Sequence, residues 1–144
     1  MPNIFGPEME EKFREIIKAN PNDADAHFNL GLFLENLDRF EEAIEEYGEV
    51  IRINPNYVEA HYKVGVLCFI LDRYDEAEKE YRNVIKINPN LPAAHYSLGA
   101  LLSQSLERYD EAEKEILKAK VLYQSQGNTN DVKMCDDILS TFSN

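Results

Sequence analysis

Apolar residues recur at helical spacing along this chain. His27, Leu30, Leu34 and Leu37 fall at i, i+3, i+7 and i+10, one face of a helix. Ala43, Tyr47, Val50 and Ile51 fall at i, i+4, i+7 and i+8, one face of a second. Between them, the stretch LDRFEEA puts acids in the first turn of the second helix, where the helix dipole favours negative charge. Asn-Pro-Asn then stops that helix. Proline biases the asparagine before it away from helix, and Asn56 is placed to cap the next one. The pattern predicts two antiparallel helices on short turns.

The same unit is written three times. His27, His61 and His95 are 34 residues apart, as are Gly31, Gly65 and Gly99, and Leu30, Val64 and Leu98. Asn-Pro-Asn recurs at 20–22, 54–56 and 88–90. Ala43 and Ala77 match Ala112 only after one residue is inserted, and Phe40, Tyr74 and Tyr109 show the same slip. The insertion falls between Gly99 and Leu106, near Ser103–Ser105.

These positions resemble the tetratricopeptide repeat family, whose sketch is a large ring, two residues, Leu-Gly, a bulky residue, then Ala-x-x-x-aromatic and a late proline. The first copy supplies His27, Leu30-Gly31, Leu34, Ala43, Tyr47 and Pro55. The second supplies His61, Val64-Gly65, Cys68, Ala77, Tyr81 and Pro89. The third supplies His95, Leu98-Gly99, Leu102, Ala112 and Ile116, with Gln124 where proline belongs. The resemblance implies an all-α fold, a right-handed α-solenoid of antiparallel helix pairs with about eight helices. It sets one domain over 1–144, with repeats at 24–57, 58–91 and 92–126. Gly31 and Ala43 then let paired helices approach closely. The histidines stand where a packed ring belongs. Equivalent helices at about 8–10 Å hold their side chains parallel, whereas zinc wants ligands converging at about 2.0–2.1 Å. The three rings are therefore expected in the core, with no metal.

Both ends read as caps. Pro7 opens a helix over 7–19 with Glu8, Glu10 and Glu11 in its first turn, and Ile4-Phe5 ahead as a staple. Met9, Phe13, Ile16 and Ile17 give it one apolar face, like the second helix of a repeat lacking its first. At the other end Gly127 breaks the chain. Val132, Cys135, Ile138, Leu139 and Phe142 then mark one face of a capping helix over 130–142.

Composition narrows the function. Apolar residues make up 44% and charged ones 29%, ordinary for a folded domain. The longest strictly apolar run, Val66 to Leu71, is far too short to cross a bilayer. The start lacks the basic and apolar regions of a secretory signal, and Cys68 and Cys135 form no CxxC, so a cytoplasmic location is expected. Net charge is −12, and residues 24–57 carry −6 of it. No stripe of Lys and Arg offers itself to phosphate, so nucleic acid and anionic membrane are excluded as partners. Phosphate-loop, zinc-protease and nucleophile-elbow motifs are missing. No enzyme activity, catalytic residue or cofactor is expected. The acids Glu41, Glu42, Glu45, Glu46 and Glu49 read as the solvated side of the second helix in the first copy.

The first helix of the second copy, HYKVGVLCFIL, is apolar beyond a single stripe. His61, Val64, Cys68 and Leu71 take the packing face, leaving Tyr62, Val66, Phe69 and Ile70 turned partly away from it. In the family, first helices line a groove that receives extended peptides or a partner's helix. By resemblance, that groove carries Asp25, Phe28, Leu32, Glu35 and Asn36 from the first copy. The second gives Glu59, Tyr62, Lys63, Val66, Phe69 and Ile70; the third gives Ala93, Tyr96, Ala100, Ser103 and Gln104. Phe28, Leu32, Ala93 and Ser97 occupy positions where a carboxylate clamp needs Lys, Asn or Arg, so that subclass is set aside. The expected function is a protein-binding adaptor whose partner brings apolar anchors and basic residues. Self-association through the groove or the ends, as a homo-oligomer, is one alternative. A regulatory or targeting role within a larger enzyme is another.

Overall fold

The structure, a computed structural model, describes residues 6–143. The proposed Ile4-Phe5 staple lies outside the described residues. Within them are eight helices and no strand: α1 (Pro7–Ala19), α2 (Ala24–Asn36), α3 (Phe40–Ile53), α4 (Val58–Ile70), α5 (Tyr74–Ile87), α6 (Pro92–Gln104), α7 (Tyr109–Ser125) and α8 (Thr129–Phe142). The fold class is all-α, built of helix pairs. The chain divides into two compact units, one ending at Leu67 within α4 and the other beginning at Cys68.

Local chemistry sets the helix ends. Pro7 opens α1 after an extended Gly6, with Glu8 and Glu10 in the first turn. Asp23 caps α2, its side chain accepting from the Ala26 amide at 3.1 Å. Asn56 does not act as a cap. Instead, the Asn54 side chain accepts from the Asn56 amide, and the Asn88 side chain accepts from that of Asn90, both at 3.2 Å. These Asx turns tighten the loop and delay the next helix past the second asparagine.

In the first unit α2 packs on α3, with Leu30 and Leu34 of α2 and Ala43, Tyr47 and Val50 of α3 buried. Gly31 is required there, because a Cβ on it would lie 2.5 Å from Tyr47 Cε1. Phe33, absent from the sequence-derived stripe, is buried beneath Phe13 of α1, with ring centroids 5.8 Å apart. Leu37, placed on that stripe, is 39% exposed. It follows the last helical residue, so its side chain leaves the face. Ile16 likewise turns to solvent, while Met9, Phe13 and Ile17 are half-buried.

In the second unit, α6 is sandwiched by α5 and α7, and α8 packs on α7. Ile116, Ala119, Tyr123 and Cys135 form a buried cluster that Tyr96, Val132, Ile138 and Leu139 complete. α7 is three residues longer than α3 or α5. It lacks Asn-Pro at its end and runs on until Gly127, whose φ of 74° supplies the left-handed stop.

Candidate functional site

The histidines do more than fill space. Each is buried, and each turns Nε2 to the carbonyl of its loop proline: Pro21 at 2.8 Å, Pro55 at 2.7 Å and Pro89 at 2.7 Å. His27 and His95 also set Nδ1 at 2.7 Å from the carboxylates of Glu46 and Glu115. A carbonyl accepts only, so Nε2 carries a proton, and Nδ1 facing a carboxylate calls for a second. Each of these two rings is thus favoured as an imidazolium tying a first helix, its preceding loop and the second helix together. For His95 the Glu115 bond raises the pKa against burial. For His27 burial opposes, and Glu46 with the Pro21 carbonyl outweighs it. Glu46, read from sequence as part of a solvated face, is therefore partly buried and engaged.

The first helices of the first unit carry a polar network under an aromatic layer. Glu35 accepts from the Tyr47 hydroxyl at 2.7 Å and from Lys63 Nζ at 3.0 Å. Phe28 lies between Tyr47 and Tyr57, with centroids at 5.4 and 5.2 Å. The Tyr57 hydroxyl donates to Asp25 at 3.0 Å; burial, then Asp25, push its pKa up to about 12. Leu32, Tyr62 and Val66 are half-buried, whereas Asn36 and Glu59 are exposed. Charges on this face are partly matched within the chain, since Lys63 spends its charge on Glu35.

The second unit holds a cavity of about 290 Å³ lined by Phe69, Tyr81, Tyr96, Ser97, Ala100, Leu101 and Gln104. Phe69 rests on Tyr74 at 5.9 Å and stays half-buried, while Ile70 is 50% exposed. Tyr96 also touches the cluster that α8 completes. Ala93 is half-buried. Ser103 is not available: it is buried, and its hydroxyl donates to the Ala100 carbonyl of its own helix at 3.1 Å. Phe69, Tyr96 and Ala100 thus meet in one cavity. Tyr81 and Leu101, which join them, were read from sequence only as core or not at all.

Both cysteines are buried free thiols with pKa values pushed up by that burial, so neither is activated. No helix among the described residues is long and apolar enough to cross a membrane.

Stacked helix pairs with aromatic and aliphatic first-helix faces define a helical-repeat interaction scaffold. Profiles described as "TPR repeat" match residues 36–69 and 65–105, and one described as "Tetratricopeptide repeat" matches 12–45. The chain belongs to the tetratricopeptide repeat family. Solved structures of MamA share its fold. One superposes with a TM-score of 0.73 at 19% identity, covering 93% of this chain and 86% of that one. An MSR-1 form of MamA gives 0.71 at 22% identity, covering 81% and 67%. An RS-1 double mutant gives 0.73 at 17%, covering 94% and 84%. A search of curated proteins gave no match.

Proposed function

We propose that the chain is a protein-binding adaptor whose first-helix faces capture a peptide or amphipathic helix with apolar anchors. The observation carrying this reading is the cavity at Phe69, Tyr96 and Ala100, walled by aromatic and aliphatic side chains and edged by Ser97 and Gln104. A hole of that size takes one Leu- or Phe-sized side chain, and the two polar groups suit backbone amides beside it. Ile70, next in sequence to Phe69, is an exposed aliphatic on the same helix. On the first unit, Phe28, Leu32, Tyr62 and Val66 offer further apolar contact. There Glu59 stands exposed, and Glu35 and Lys63 neutralise one another. A partner residue near Glu59 is best basic.

Selection from a random peptide library tests the reading. Wild type should enrich peptides sharing one apolar anchor, and Phe69→Ser should bind them about 10–100-fold more weakly, as loss of an anchor contact worth about 1–3 kcal/mol implies. Thermal melting run alongside separates binding from folding. Equal enrichment and affinity for both proteins, with both folded, would refute the proposal.

A further inference from the structure

The second unit carries another apolar groove, away from the first-helix cavity. It has a volume of about 540 Å³ and is lined by Ile85 of α5, Pro89 after it, His95 of α6, and Leu117, Lys118, Val121 and Leu122 of α7. Leu117 is 45% and Val121 62% exposed, a turn apart, so these are not isolated surface aliphatics. Lys114, Leu117, Lys118 and Val121 fall at i, i+3, i+4 and i+7, one face of α7. That stripe mixes two aliphatic side chains with two lysines, one cation on either side of Leu117.

The complementary stripe is on α3. Glu41, Ile44, Glu45 and Gly48 have the same spacing, with acids where α7 has lysines. Glu41, Glu45 and Gly48 are exposed and Ile44 is half-buried. A Cβ added at Gly48 would meet nothing within 4 Å, so packing inside the chain does not ask for glycine there. Glycine in mid-helix is destabilising by about 0.5–1 kcal/mol relative to alanine, and a shallow notch for a neighbour is what it leaves.

We propose that α3 of one copy docks in the α5–α7 groove of a second copy. Laid parallel, Glu41 meets Lys114, Ile44 meets Leu117, Glu45 meets Lys118, and Val121 enters the notch at Gly48. The net charge of −12 repels copies at long range. Salt near 0.1 M, with a screening length of about 10 Å, weakens that repulsion more than the short contacts, so association tightens from low to moderate salt. The two surfaces differ, so each copy keeps one of each kind, and growth continues past two copies unless a ring closes.

Sedimentation velocity over a hundredfold concentration range, at moderate salt, tests the contact. Wild type should shift to heavier species. The double variants Lys114→Glu/Lys118→Glu and Glu41→Lys/Glu45→Lys should each associate about tenfold more weakly or worse. An equimolar mixture of the two should recover, because each contact again joins opposite charges. Lys118 sits 3.1 Å from Glu115, so the charge swap could disturb the fold. Leu117→Ser, at an exposed position, should then show the same loss with melting unchanged. Phe69→Ser should associate like wild type, which separates this contact from the peptide-binding face. A wild-type chain that stays monomeric, variants that associate as it does, a mixture that fails to recover, or a loss in Phe69→Ser would each overturn the proposal.

Discussion

His95 donates to Pro89 and Glu115 at once, and this makes its proton part of the fold. Its pKa is raised in the folded chain, by Glu115 first. Its contribution to stability is therefore complete below the unfolded value of about 6.5 and is lost as pH rises through the folded value. Glu115 has the opposite sense: its pKa is lowered, by His95 first, so its contribution disappears as pH falls. The pair stabilises best between the two values, on the mildly acidic side. Urea melts at about pH 6 and about pH 8.5 should show wild type weaker at the higher pH, with Glu115→Gln flattening much of that difference. Lys118, 3.1 Å from Glu115, opposes the charge on His95, but the bond from Glu115 outweighs it, so the sign stands. An unchanged slope in Glu115→Gln would sink the argument. The spacing of the histidines was legible in the sequence, and so was their burial. Their partners were not, because Glu46 and Glu115 lie across a turn from His27 and His95 and sit among exposed acids at similar spacing.

At the level of elements, the turns carry the repeat's grammar. Asp38 and Asp72 adopt φ of 57° and 59°, and the amides of Arg39 and Arg73 reach back to Leu34 and Cys68 at 3.0 and 2.8 Å. This closes α2 and α4 as left-handed caps. In the third copy Glu107 takes that role with φ of 54°, and Arg108 reaches Leu102, one residue further back. The inserted residue expected from the slip of Ala112 is thus absorbed in a four-residue turn after α6. Glutamate is a poor choice there, since its longer side chain cannot make the local bonds that favour Asp at positive φ. Glu107→Gly should raise stability by about 0.5–1 kcal/mol, read as a higher urea midpoint at constant slope. A lower midpoint would mean that the Glu107 side chain contributes something its conformation does not. The arginines after these caps add a second regularity that periodicity alone did not reveal. Arg39 joins Glu10 and Glu42 at 2.7 and 2.6 Å, and Arg108 joins Glu78 and Glu111 at 2.9 and 2.8 Å. α1 therefore holds its acid where α5 holds one, in keeping with its likeness to a second helix. The exposed stripe of α7 was missed for a related reason: Leu117 and Val121 adjoin Ile116 and Leu122 in sequence, and these aliphatics read together as core until Ala112, Ile116, Ala119 and Tyr123 are seen to fill the buried face.

For the molecule as a whole, a helix pair in a repeat array leaves an apolar face that a neighbouring element has to cover. α8 does this for the second unit. Cys135 is fully buried, and Val132, Ile138 and Leu139 pack on the cluster of Ile116, Ala119 and Tyr123. Phe142 meets Tyr109 with centroids 6.2 Å apart, and Lys120 pairs with Asp136 at 2.6 Å. The ion pair is exposed enough to contribute little, so α8 is held mainly by its apolar face. One buried and several half-buried side chains, at about 1.5–3 kcal/mol for each full burial, amount to several kcal/mol before the entropy of ordering the helix is subtracted. Deleting residues 130–144 also leaves Tyr96, Tyr123 and Ile116 uncovered on one side. The truncated chain should melt earlier and less cooperatively, and light scattering should show it aggregating at concentrations where the full chain stays clear. Met134→Ser provides the control, because Met134 is on the exposed side of α8 and its loss removes apolar surface without uncovering the cluster. If the truncated chain stays dispersed and melts with the full chain, α8 contributes nothing to the stability of the second unit.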